Sequence, residues 1–219
     1  MKNIFHLFVL LLLGTSCVEK KKENPKNLDS KTMEVHTGPE KLDFDENSKE
    51  NLKDWLRYYR KEVPDFSLEK FKLQYVDTLD FISGNVPGSF DQEFDKVYYD
   101  FIVHNQDGTK YIDFDSYQWS LDENGKFILS PDQEINVVDL KKRTVTRIGF
   151  RGPSYWVENA FWENGSTIVL LENSSEKQPT INRLDLESRV METYTYQDTL
   201  TFKSNYFERR MKEKGIGDL

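Results

Sequence analysis

Two stretches of this chain repeat each other at a fixed spacing, and that repeat is the strongest bound on what it can fold into. Residues 135–145, Ile-Asn-Val-Val-Asp-Leu-Lys-Lys-Arg-Thr-Val, line up with residues 181–191, Ile-Asn-Arg-Leu-Asp-Leu-Glu-Ser-Arg-Val-Met, with five of eleven positions identical at an offset of 46. Each copy has an apolar run, an Asp-Leu pair, polar residues and a second run, which predicts strand, turn, strand. Upstream, Glu123-Asn124-Gly125 recurs as Glu163-Asn164-Gly165 at an offset of 40, so the second copy holds six further residues, which we assign to the polar run 173–178. Phe71, Leu73 and Tyr75 alternate with polar neighbours, and Val97, Tyr99, Phe101 and Val103 recur with the same period of two, predicting further strands. Pro87-Gly88, Asp107-Gly108, Asn124-Gly125 and Asn164-Gly165 are tight-turn dipeptides, so the strands are expected to run as antiparallel meanders.

A strand, an Asp-Leu turn and a strand at a period of 40 to 46 resemble the blade unit of β-propellers. Residues 66–202 have room for roughly three such units, too few for a closed ring. The expected fold is therefore mainly β: two or three blade-like antiparallel sheets, with units at about 117–150 and 156–196, packed together or on an N-terminal amphipathic helix. A β-sandwich or small barrel is the alternative. The helix is expected within 46–64, where Leu52, Trp55, Leu56 and Tyr59 recur at i, i+3, i+4 and i+7, with Ser48 as its cap and Pro64 as its stop. Residues 65–202 form the β domain, and 203–219 form a short C-terminal helix around Tyr206, Phe207, Arg210 and Met211 with a loose tail.

The N-terminus carries an address. Lys2 is followed by an apolar run from Ile4 to Leu13 and by Gly14, Thr15 and Ser16 before Cys17, the order of a secretory signal. A helix of that run falls well short of the roughly 30 Å hydrocarbon core, so it is not a permanent span. Leu12-Leu13-Gly14-Thr15-Ser16-Cys17 resembles the lipobox of bacterial lipoproteins, although Gly14 stands where leucine is commonest; looser boxes of this kind resemble those of the Bacteroidota. The resemblance implies cleavage after residue 16 and acylation of Cys17, first by diacylglycerol on the thiol and then by a fatty acyl group such as palmitate on the new amine. It also implies a place in the cell envelope, with the outer membrane favoured because Val18, not Asp, follows the cysteine, and with the occupied face left open. An ordinary secretory signal with Cys17 as a free thiol is the alternative. Residues 17–45, rich in Lys, Glu, Asn and Pro, read as a flexible tether.

The formal charge of −8 argues against nucleic acid as a partner, because the long-range field repels phosphate. One cysteine excludes an intramolecular disulfide, and His6, His36 and His104 fit no zinc spacing, so no metal or cofactor is expected. Asp113 and Asp115 are placed two apart on one face of a predicted strand, the arrangement of an acid/base pair, but also that of an ordinary solvated face. Asn105-Gln106-Asp107-Gly108-Thr109 has the oxygens of a calcium loop without its distant bidentate glutamate, and reads as a hairpin turn. No nucleophile or phosphate-loop motif is present, so no catalytic residue is assigned. The densest group of contact residues is Tyr155, Trp156 and Trp162, which either stack on a glycan or partner or fill a seam between sheets. The expected function is a non-enzymatic envelope lipoprotein held at a membrane and engaging a protein partner, with glycan binding as the alternative and a hydrolase around Asp113 and Asp115 as a third reading.

Overall fold

The computed structural model describes residues 41–216; the expected signal at 1–16, Cys17, the tether up to residue 40 and residues 217–219 lie outside the described residues. The described chain begins with helix α1 (Glu46–Arg60). Asp45 caps it, its carboxylate accepting the Ser48 N–H at 2.7 Å, so the cap lies three residues before the expected Ser48, which is itself buried in the helix. Leu52, Trp55, Leu56 and Tyr59 form the buried stripe, as their spacing predicts.

Twelve strands follow: β1 (Phe71–Thr78), β2 (Ile82–Ser83), β3 (Val103–His104), β4 (Lys110–Asp113), β5 (Trp119–Leu121), β6 (Phe127–Leu129), β7 (Gln133–Asp139), β8 (Thr144–Arg151), β9 (Tyr155–Trp162), β10 (Thr167–Ser174), β11 (Thr180–Asp185) and β12 (Val190–Tyr196). Helix α2 (Tyr206–Glu213) comes last, on the residues that predict it. The fold is mainly β, and among the described residues it has two five-stranded antiparallel sheets, a separate β5–β6 hairpin and no closed barrel. One sheet has the order β1-β12-β11-β10-β9 and the other β2-β8-β7-β4-β3.

The repeat falls on equivalent hairpins. In β7–β8 Asp139 faces Thr144, and in β11–β12 Asp185 faces Val190, so both turns hold four residues. Asp139 accepts the Lys142 N–H at 2.8 Å, and Asp185 accepts those of Glu187 and Ser188 at 2.9 and 3.2 Å, which explains why both copies keep the aspartate. Arg143 and Arg189 take left-handed backbones, φ 55° and 58°, and each sets its guanidinium over a ring, Phe90 at 5.1 Å and Phe81 at 4.6 Å. The correspondence extends outward, since β2 pairs with β8 as β1 pairs with β12.

The Glu-Asn-Gly recurrence, by contrast, does not mark equivalent strands. β5–β6 stands apart from both large sheets, and β4, not β6, lies beside β7. The two turns also close differently: Asp122 accepts the N–H groups of Asn124 and Lys126 with Gly125 at φ 74°, whereas Asn164 accepts those of Ser166 and Thr167. Asn173 and Ser174, expected in a polar loop, are buried and end β10.

Residues 96–100 correct a second expectation. They form a 3-10 helix, not a strand, opened by Asp95, whose carboxylate accepts the Val97 N–H at 3.0 Å. Tyr98 and Phe101 are buried three residues apart, the spacing that returns a side chain to one side of a 3-10 turn. Tyr99, which the alternation groups with Phe101, is instead exposed to solvent.

The layers are α1, the first sheet, then the second. Trp55, Tyr59, Phe66 and Tyr196 pack with Val169 and Leu171 on one face of β10, while Ile168 and Leu170 meet Ile112, Ile135 and Ile148 of the second sheet on the other. β10 is thus buried along its whole length. A smaller core joins Tyr98, Phe101, Trp119, Phe207 and Met211, fastening α2 to the β5–β6 hairpin. Replacing Leu170, fully buried between the sheets, with Ala should lower the unfolding free energy by about 3 kcal/mol in a denaturant titration. The same change at Ile128, half exposed, should stay within about 0.5 kcal/mol.

Candidate functional site

Edge strand β9 carries the residues singled out from sequence, and a bulge in it decides where they point. Pairing with β10 shifts between Leu171–Asn159 and Glu172–Val157, leaving Glu158 as the extra residue. Val157, Ala160 and Trp162 therefore face the second sheet, while Phe161 and Glu158 face α1. Trp162 is no contact residue: it is buried between the sheets and its indole N–H donates to the Val103 carbonyl at 2.8 Å. Both Phe161 and Trp162 point inward because this sheet is covered on both sides.

Glu158 is fully buried, and among the described residues no Lys, Arg or His forms an ion pair with it. One carboxylate oxygen accepts the indole N–H of Trp55 and the hydroxyl of Tyr59, both at 2.7 Å, and the other accepts the Ser204 hydroxyl. Tyr59 in turn accepts from the Asn173 amide at 2.7 Å. Burial pushes the Glu158 carboxyl above its ordinary range, since these neutral donors only partly replace lost hydration. Burial, with the Glu158 charge next to it, also holds Tyr59 well above the ordinary phenol range.

Above this carboxylate lies a cleft of about 190 Å³, lined from three directions. The loop after β6 supplies Leu129, Ser130 and Pro131; the start of β9 supplies Pro153, Tyr155 and Trp156; the approach to α2 supplies Lys203, Ser204, Phe207 and Glu208. Tyr155 is 51% exposed and Trp156 is partly buried, so two of the three aromatics expected to make contacts share one opening. Gln118 also lines it, its side-chain oxygen accepting from Gln133 at 2.8 Å. Gln118, Lys203 and Glu208 were not singled out from sequence, and Phe207 only as a helix residue, because they come from distant segments. Glu158 carried a readable signal, a charged residue inside the largely apolar run Val157–Trp162.

The acidic pair is not a solvated strand face. Asp113 ends β4 fully buried, accepting the N–H groups of Asp115 and Ser116 at 3.0 Å and the Ser116 hydroxyl, while burial raises its carboxyl above the ordinary range. Asp115 lies past the strand, also buried, in a two-pronged pair with Arg210 at 2.6 and 2.8 Å and accepting the Trp119 indole N–H at 3.0 Å. Arg210 is sandwiched among the rings of Phe101, Phe114 and Phe207, 4.8 to 5.6 Å away. Both carboxylates serve turns and helix docking. The 105–109 segment is the hairpin turn between β3 and β4, with Gly108 at φ 66°. Among the described residues no group of three or more His, Cys, Asp or Glu side chains is placed to hold a metal, and no helix is long and apolar enough to cross a membrane. No family model, curated protein or solved structure matches the chain.

Glu158→Leu leaves the Trp55, Tyr59 and Ser204 donors without an acceptor and should cost roughly 3 kcal/mol or more of stability. Glu158→Gln keeps them served, because its oxygen can face Trp55 and Tyr59 while its amide donates to Ser204. The raised Glu158 carboxyl has a pH signature. Its contribution is fully present below the ordinary carboxylate range and is lost as pH rises through the elevated folded value, because the folded chain holds the proton longer. The Gln variant should flatten that decline in unfolding midpoints measured across pH. Asp115→Ala strands Arg210 in the core and should cost about 3–5 kcal/mol in the same assay, with α2 the first element to lose hydrogen-exchange protection.

Proposed function

We propose that the protein is a bacterial envelope lipoprotein, acylated on Cys17, that acts without catalysis by docking another envelope protein through its β domain. The address rests on the order of Lys2, the apolar run, the small residues and Cys17. Stable retention needs more than one acyl chain, which such a modification supplies. The non-catalytic reading is supported by the two buried aspartates, whose carboxylates hold structural hydrogen bonds, and by Glu158, which is sealed beneath side chains.

The observation that carries the docking reading is the β5–β6 hairpin. It pairs with neither large sheet, and Tyr117, Leu121, Ile128 and Leu129 on or beside it are 38 to 53% exposed. Directly opposed residues of a hairpin share a face, so Leu121 and Leu129 lie on the side of Trp119 and Phe127, while Ile128 points the other way. Exposed apolar side chains on an element that lies outside both large sheets support a contact surface there. Its core side is fixed by Trp119, stacked on Phe127 at 5.8 Å, and by Phe207 beneath, so the element is rigid enough to dock without a large ordering cost.

Metabolic labelling with a clickable fatty acid should mark the wild-type band and leave Cys17→Ser dark. A photo-crosslinker at position 128 in living cells should yield one stoichiometric adduct that the same probe at Asp77, exposed on β1, does not give. An unlabelled wild-type band removes the anchor, and equal capture at the two positions removes the docking surface.

A further inference from the structure

We propose that the cleft between β9, the loop after β6 and α2 binds a single ring of a neutral sugar, stacked on Trp156. This goes beyond the docking reading and does not need the anchor. A pyranose has one face of C–H groups and a rim of hydroxyls, so it asks for an apolar platform flanked by neutral donors and acceptors. The cleft offers both within about 190 Å³.

Trp156 is the platform. It lines the opening, partly buried, beside Val157 and Glu158, which are fully buried, and Glu158 is held by Trp55, Tyr59 and Ser204. A partly buried ring has less rotamer freedom to lose when a ligand stacks on it than one fully in solvent. Tyr155, the preceding and more exposed residue of β9, also lines the mouth.

The polar rim favours hydroxyls over charge. Gln118 gives its side-chain oxygen to Gln133, leaving its amide donors for a ligand, and the Ser130 hydroxyl accepts only a distant N–H, that of Asp132 at 3.3 Å. Lys203 and Glu208 line the cleft with opposite charges, which cancel to first order and each suit a sugar hydroxyl. A purely apolar guest would strip water from these groups and return no hydrogen bond. An anionic guest would face Glu208 and the −8 field with a single lysine in its favour.

The test uses the full chain in detergent and a panel of methyl glycosides of glucose, galactose, mannose and N-acetylglucosamine, with methyl glucuronide and cyclohexylmethanol as charged and apolar controls. Indole N–H resonances are followed by two-dimensional NMR. Trp55, Trp119 and Trp162 are buried, so a bound sugar should move the Trp156 signal alone, with millimolar affinity. Trp156→Ala should weaken binding roughly tenfold or more, and Trp156→Phe, which keeps an aromatic face, should retain most of it. Unfolding midpoints of both variants establish that they are folded. The proposal is overturned if no neutral glycoside shifts the signal, if the glucuronide or cyclohexylmethanol binds as well, or if a folded Trp156→Ala binds like wild type. None of these outcomes bears on fatty-acid labelling or on capture at position 128, so the two readings fail separately.

Discussion

A carboxylate removed from water needs several partners, and Glu158 finds its own in two distant parts of the chain. Trp55 and Tyr59 come from α1 and Ser204 from the approach to α2, while Asn173 of β10 is joined through Tyr59. Helix, sheet and C-terminal segment are therefore fixed relative to one another by one side chain. The arrangement depends on the bulge in β9, which supplies the extra residue that turns toward α1. Among the other buried acids, Glu134 has Arg147, Glu172 has Arg151 and Asp115 has Arg210, while Asp113 is held by two backbone N–H groups and the Ser116 hydroxyl of its own turn. Glu158 relies on neutral donors, so its surroundings must be complete before burial is tolerable, and the packing around it is correspondingly dense in aromatics.

Two similar meanders are made into one body by the short segment that precedes both. β1 and β2 are four residues apart, yet one closes the first sheet on β12 and the other closes the second on β8. Neither edge pairing can form until the corresponding hairpin has folded, and β1–β12 joins residues separated by more than half of the chain. Such pairing carries a large loop-closure cost, so we expect the hairpins to form early and the N-terminal strands to lock on late. The result also blunts the outer strands β8 and β12, which would otherwise offer free edges.

What sequence revealed and what it hid divide along a physical line. Local chemistry was legible: the Asp-Leu turns, the α1 stripe, the hairpin turn at Gly108 and the α2 residues each follow from contacts within a few positions. Tertiary context overrode the rest. Period two over Val97–Phe101 arises as easily from a capped 3-10 turn as from a strand, and only Asp95 and the buried Tyr98 and Phe101 tell them apart. Asp113 and Asp115 match a solvated face on spacing alone, because their partners are a local hydroxyl and an arginine nearly a hundred residues away. Trp162 looked like Trp156, six positions earlier, since nothing in the chain says that β9 leaves one end in a cleft and the other between sheets. The cleft itself was half visible, through Tyr155 and Trp156, and half supplied by segments that only folding unites.

The geometry also bears on how weak a contact this protein can afford. A cleft that admits one ring and a three-residue hairpin edge each bury little surface, far below what a stable stand-alone interface requires. A domain that diffuses freely would gain little from either. Held to a membrane through Cys17 and a tether of nearly thirty residues, as proposed, the same domain samples only a thin shell of the envelope, and every encounter with a membrane-associated partner becomes effectively intramolecular. Effective concentrations in the millimolar range then bring millimolar affinities to half occupancy. Anchor, tether and modest sites are consistent with one another in this way: lipid supplies residence, and the β domain needs only to discriminate.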